Sequence, residues 1–237
     1  VVELGIVLSR LRQEDGFTLV ELLVAMVIGL IVIFAGFNLI DSSVRVNASV
    51  AGRTDAAQRG RIGMDEMTRA LRSQVCANGT APVTTATPTQ VTFTADLSNG
   101  SRVADLRSLT YDPTGDKVTE TITPGSGTEP NVVFTGTPRS SVILTDADPD
   151  PSAAGGAVFT YFAATAGSGG AQFTSLGSTV AAADLPRIAR IDIGVRVRPA
   201  RSSTGDRRSA LFDDSVIVRS VNPDSATPVA TCPTAGS

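Results

Sequence analysis

The 237-residue chain contains no histidine and no tryptophan, one lysine (Lys117), two tyrosines and two cysteines. Without histidine there is no Ser/His or Cys/His dyad, no ordinary neutral-pH general acid and base, and no basis for most zinc, copper or haem sites. Cys76 and Cys232 are too few for a thiolate metal cage or an iron–sulfur cluster, though they can form one disulfide. No cofactor and no metal is expected. A net charge of −3 gives no global field for nucleic acid. With 42% hydrophobic and 18% charged residues the chain is too apolar for a disordered one, and with 5% aromatics its core must be built largely from aliphatic side chains. Proline is absent throughout Phe17–Val75, which leaves that stretch free to form one uninterrupted helix.

The least globular segment is Thr18–Ile40, TLVELLVAMVIGLIVIFAGFNLI. Its roughly 23 residues span about 34 Å as a helix, enough for a hydrocarbon layer of about 30 Å. Arg10 and Arg12 precede it, so the positive-inside rule puts that end in the cytoplasm and the rest of the chain across the membrane. A cleaved export signal is the competing reading, with a weak small-residue site at Ala48–Ala51, but the apolar run exceeds the usual 7–15-residue signal core. Glu21 is the anomaly: a carboxylate at bilayer depth costs about 2.5–3.5 kcal/mol and needs either the interface or a partner.

The residues Gly16-Phe17-Thr18-Leu19-Val20-Glu21-Leu22-Leu23-Val24-Ala25 resemble the cleavage and methylation motif of type IV prepilins and pseudopilins. The resemblance implies that a membrane prepilin peptidase cuts between Gly16 and Phe17 and methylates the new amine of Phe17. It also implies that Glu21 pairs with the Phe17 amine of a neighbouring subunit as the helix moves from bilayer to filament. The implied partners are the peptidase, other pilin or pseudopilin subunits, an inner-membrane assembly platform and, before assembly, the lipid bilayer. The residues ahead of the junction, beginning Val1-Val2-Glu3-Leu4, depart from the short hydrophilic leaders of the family.

Beyond the apolar run, Ala57, Gly60, Met64, Met67 and Leu71 recur at helical spacing among charged residues, predicting an amphipathic continuation to Val75. Asp41/Arg45, Asp55/Arg59 and Asp65/Arg69 are expected i, i+4 pairs. Ala25, Gly29 and Gly36 would allow close helix approach. From Asn78 onward, short β-type runs alternate with turn residues. Expected strands are Gln90–Ala95, Ser108–Tyr111, Val118–Thr123, Val132–Thr135, Val142–Leu144, Val158–Ala163, Arg187–Val197 and Ser215–Val221. Glycine-rich Ala153–Gly156 and Ala166–Gly170 read as loops. The resulting layout is α+β, a pilin-like fold: leader 1–16, membrane and filament-core helix 17–40, amphipathic continuation 41–76, and a β-rich extracytoplasmic domain 77–237 with an antiparallel sheet packed on the second half of the helix. DLPRIARIDIGVRV and FDDSVIVRSVN resemble the last strands of minor pilins of the PilW or pseudopilin J kind.

Three further groups were weighed for chemistry. Asp146, Asp148 and Asp150 alternate as in a calcium loop, but Pro151 and Ala157 stand where that loop needs glycine and glutamate, which favours a solvated turn. Asp213 and Asp214 read as turn residues ahead of a strand, with an anchored carboxylate hydrolase as the enzyme reading they would have to support. Arg187, Arg190, Arg196, Arg198, Arg201, Arg207 and Arg208 could meet DNA phosphates, yet they lack interleaved aromatics, so a solvated strand face is the preferred reading. Cys76 and Cys232 could join the chain's tail to the end of the helix in an oxidising compartment. The function expected is a structural, non-enzymatic filament subunit, with an adhesin or DNA-uptake receptor as the alternative.

Overall fold

The computed structural model describes residues 17–97, 103–128, 130–167, 170–200, 209–222, 225 and 228–232. The chain divides into two compact units, Val1–Val50 and Ala51–Ser237. A single helix, α1 (Leu19–Arg72), contributes to both.

In the first unit α1 has no buried residue, and its apolar stretch is long enough to cross a membrane. Asn38 donates to the Phe34 carbonyl at 2.8 Å, so this polar side chain is satisfied by its own helix. Asp41 and Arg45 pair at 2.8 Å as expected.

In the second unit α1 becomes one-sided. Ala56, Gly60, Gly63, Met64, Met67, Thr68, Ala70 and Leu71 are buried, a 3.6-residue stripe. It is centred on Ala56 rather than the expected Ala57, which is half-buried. Arg59 pairs with Asp55 at 3.0 Å, but Arg69 turns to Glu66 at 2.7 Å instead of Asp65, the i, i+3 neighbour being equally within reach. The helix stops at Arg72, short of Val75. Gln74 bridges to Ala95 and the Val75 amide donates to the Thr94 carbonyl, so the chain joins a strand there.

Ten strands follow: β1 (Val83–Ala86), β2 (Gln90–Ala95), β3 (Asp105–Asp112), β4 (Lys117–Thr123), β5 (Arg139–Thr145), β6 (Ala147–Pro149), β7 (Phe159–Gly167), β8 (Gly170–Gly177), β9 (Ile188–Val197) and β10 (Ala210–Ile217). They form two antiparallel sheets where the sequence suggested one. The first is a meander in the order β1-β2-β3-β4-β5, and the second has the order β10-β9-β7-β8. Strand β6 pairs with Val195–Val197 of β9 on the flank that β7 covers from Ile188 to Ile193. Val132–Thr135 forms no strand, only the bridge Ser126↔Val133, whereas the stretch Ala166–Gly170, read as a glycine loop, holds the end of β7 and the first residue of β8. Small residues carry no alternation to announce such a strand.

Both sheets and the helix share one core. Met64, Met67 and Leu71 of α1 join Phe93, Leu109 and Leu144 of the first sheet and Phe159, Ile191 and Val195 of the second. Strand β9 alternates between buried and half-buried from Ala189 to Val197, as its sequence foretold. Arg59 fastens the helix to this core: it donates to the Thr145 carbonyl at 3.1 Å, to Asp146 at 3.0 Å and to the Arg198 carbonyl at 2.9 Å. Cys76 and Cys232 are bridged with 5.5 Å between their Cα atoms, and Ala230 donates to the Pro186 carbonyl at 2.7 Å. A loop this long, 156 residues apart in sequence, contributes up to about 5 kcal/mol in the chain-entropy account.

Gly60 and Gly63 allow this close approach. A Cβ on Gly60 would lie 2.0 Å from the edge of the Phe212 ring, and one on Gly63 would lie 3.1 Å from Leu144. Helix propensity alone would make Gly60→Leu a gain of up to about 1 kcal/mol. Overpacking against Phe212 reverses the sign, and urea unfolding is expected to show a net loss of about 1–3 kcal/mol.

Candidate functional site

The start of α1 is built by local chemistry. Thr18 is the residue before the first helical turn; its carbonyl accepts the Leu22 amide at 3.2 Å and its Oγ1 accepts the Glu21 amide at 3.3 Å. That is the threonine half of a capping box, with Glu21 at the third helical position. The signal, Thr-x-x-Glu ahead of an apolar run, stands in the sequence at Thr18–Glu21. A carboxylate in the first turn is also favoured by the helix dipole. Phe17 is 78% exposed. Gly16 and the leader lie outside the described residues.

From Leu19 to Ile40 every large apolar side chain is exposed, on all faces of the helix. Nothing lies within 4 Å of a Cβ built on Gly29 or Gly36. Such a surface calls for a bilayer or other helices around it, because among the described residues of its own unit nothing covers it.

Of the arginines read as a basic group, Arg187, Arg190 and Arg198 are paired within the second unit, and Arg196 lies beside Asp148 and Asp150. Arg187 pairs with Asp184 at 2.8 Å. Arg190 binds Asp192 through two nitrogens, at 2.9 and 3.1 Å, and its guanidinium lies 4.0 Å from the Phe162 ring centre and 4.9 Å from that of Phe173. Arg198 is buried between Asp116 and Asp148. Arg201, Arg207 and Arg208 lie outside the described residues. A phosphate backbone would have to displace these partners.

The three alternating aspartates are likewise divided among partners. Asp146 meets Arg59, Asp148 meets Arg198, and Asp150 accepts from the Ser152 amide at 2.8 Å and its hydroxyl at 2.7 Å. Among the described residues no group of three or more metal-ligating side chains comes together.

Asp213 and Asp214 lie inside β10 and not in a turn ahead of it. Their side chains point to opposite faces, Asp214 accepting from the Thr68 hydroxyl of α1 at 3.0 Å while Asp213 meets Asp150. The contact is made over Gly194, which faces Asp213 in the ladder and whose carbonyl takes the Asp150 amide; a Cβ there would lie 3.1 Å from Asp150 and 3.2 Å from Asp213. These two carboxyls, with Asp192 and Asp214, border an open cavity of about 620 Å³. The Ser152 donors hold Asp150 below the usual carboxylate range, whereas burial and the Asp150 charge push Asp213 above it. A cavity lined by carboxylates is the minimum an acid-base enzyme needs, but the carboxyls here serve each other and the fold.

Two outcomes follow from these pairings. Arg198→Met, which strands two carboxylates, should cost about 3–5 kcal/mol in urea unfolding; Arg187→Ala, whose partner sits in its own exposed turn, should cost less than about 1 kcal/mol. A raised Asp213 stabilises the fold fully below the ordinary carboxylate pKa and loses that contribution as pH rises through its folded value. Asp213→Asn, which cannot ionise, should therefore melt higher than the parent at neutral pH and equally in acid, by a small margin because solvent screens this exposed group.

Residues 11–37 match the family model described as the prokaryotic N-terminal methylation motif. No curated protein matches the chain. The motif spans the junction at residues 16 and 17, the capped helix start and most of the uncovered apolar helix, and an antiparallel β domain follows it. The chain thus carries the N-terminal methylation motif typical of type IV prepilins and pseudopilins, joined to a long apolar helix and an antiparallel β domain, a layout that fits a pilin-like fold.

Proposed function

We propose that the chain is a minor pilin or pseudopilin, a structural or priming subunit of a type IV pilus or a type II secretion-like filament. Prepilin peptidase cuts between Gly16 and Phe17 and methylates the Phe17 amine. The helix from residue 17 to 40 resides in the bilayer until assembly, and the domain that follows lies outside the cytoplasm. On an inner-membrane assembly platform the helix exchanges lipid for the helices of other subunits, and Glu21 meets the neighbouring Phe17 amine. The observation that carries the reading is the pairing of the capped Thr18–Glu21 start with an apolar helix exposed on every side. The chain itself is no enzyme on this reading, and its own processing is done to it by the peptidase.

The relation to minor pilins of the PilW or pseudopilin J kind rests on the segments that form β9 and β10, which are adjacent strands of the second sheet. A DNA-receptor role is disfavoured, because the described arginines Arg187, Arg190 and Arg198 are already paired.

Co-expression with a prepilin peptidase, followed by intact-mass and N-terminal analysis, tests the reading. The parent chain should begin at N-methyl-Phe17 and Gly16→Leu should remain uncut. Glu21→Val should be processed normally yet be absent from sheared filaments. An uncut parent chain, or a cut after residue 40, would overturn the proposal.

A further inference from the structure

Each of the two sheets ends in strands whose outer edges offer unpaired backbone groups, and such edges pair with other chains unless something blunts them. At β1 the Val180 amide donates to the Ala86 carbonyl at 3.0 Å. At β5 Arg59 takes the Thr145 carbonyl, and α1 comes so close that a Cβ on Gly63 would meet the Ile143 carbonyl at 3.5 Å. β10 carries Asp213 and Asp214, the second held by Thr68 of α1. The remaining edge strand, β8, has neither a charge nor a proline. Among the described residues no backbone–backbone hydrogen bond reaches it outside the β7 ladder.

That open edge is regular. β8 pairs with β7 in unbroken register from Gly170 to Ser175, and the bulge comes only at Leu176. The Thr165 hydroxyl donates to the Gln172 carbonyl at 3.3 Å, so Gln172 directs its backbone groups toward β7. Alternation then turns the amides and carbonyls of Ala171, Phe173 and Ser175 outward. Gln172, Thr174 and Ser175 are exposed, and Phe173 is half-buried with the Arg190 guanidinium 4.9 Å from its ring centre.

What fits such an edge is another β-strand, which supplies amides and carbonyls at the matching spacing. β8 answers its own pattern. About a two-fold axis at Phe173, antiparallel copies set Ala171 opposite Ser175 and Phe173 opposite its counterpart, so every outward residue gains both its bonds, about six in all. A shifted register leaves an outward residue unmatched. On one face Gln172 then meets Thr174, a polar pair, and on the other Phe173 meets its own copy. No charges meet, whereas two copies of β10 would bring aspartates together. We propose that the β8 edge is an interface for a second copy of this chain, joining the two copies' second sheets into one antiparallel sheet. A two-fold contact closes on itself, so it joins two chains and adds nothing to the length of a filament. It lies wholly in the second unit, so it stands or falls independently of processing at Gly16.

The full chain in zwitterionic detergent micelles, with its native disulfide intact, is the material for the test. Gln172→Cys and Thr174→Cys chains would be mixed and oxidised. In the two-fold register these positions face each other with about 4.5 Å between Cα atoms, within disulfide reach, while each lies beyond reach of its own copy. The mixture should cross-link at least about tenfold more than either variant alone. Ser175→Pro, built into both cysteine variants, removes an outward amide and leaves the β7 ladder intact; it should melt with the parent and abolish the cross-link. Should it fail to fold, Gln172→Lys with Thr174→Lys replaces it. The lysines would meet across the axis, and the slowing of Phe173 amide exchange that the parent shows on concentration should be lost. The interface is refuted if the mixture cross-links no better than the separate variants, the result expected of helices merely sharing a micelle, or if Ser175→Pro leaves the cross-link in place. Protection of the Phe173 amide only on addition of a different filament subunit would equally overturn pairing with a second copy.

Discussion

An apolar helix that the described residues of its unit leave uncovered is the constraint from which the rest follows. Between Leu19 and Ile40 the side chains on every face are exposed, which in water would expose far more apolar surface than a soluble monomer tolerates. A helix is the form that can meet this demand, because its backbone bonds are internal and survive transfer to hydrocarbon. Asn38 bonding to the Phe34 carbonyl and Thr18 capping the Glu21 amide extend the same economy to side chains and to the helix start. What remains unsatisfied internally is the charge of Glu21. In apolar surroundings that charge calls for a partner from outside the segment.

The same helix obeys a different rule after Ala51. There the apolar residues shrink to one stripe, glycines at 60 and 63 admit Phe212 and Leu144 to the helix surface, and Arg59 reaches the ends of β5 and β9. Two small sheets and one helical face make a single core, with aliphatic side chains doing what a tryptophan would do elsewhere. The Cys76–Cys232 bridge and the Ala230–Pro186 hydrogen bond then secure a C-terminal segment that has little core of its own.

Legibility followed the physics of each element. The helix was evident from an unbroken, proline-free run, and β9 from alternation that burial reproduces from Ala189 to Val197. β8 was not, because Gly170–Gly177 owes its strand to pairing with β7 and not to its own pattern. The second sheet was hidden for a related reason: strand order is a property of tertiary packing, and β9 joins β6, β7 and β10 across long sequence gaps. At the helix start the Thr18 cap on the Glu21 amide follows from a local Thr-x-x-Glu pattern, which the sequence displays without any tertiary contact.

The arginine-rich composition finds its explanation in the same placement. In a strand sequence, Arg187, Arg190, Arg196 and Arg198 look like a cationic surface awaiting a polyanion. In the fold, Arg190 is stacked and bidentate, Arg198 is buried between two aspartates, and Arg59 spans five backbone or side-chain acceptors. A planar guanidinium with several donors suits such tasks better than an ammonium, which accounts for a chain with one lysine. The charge that the sequence displays is therefore largely spent inside the second unit.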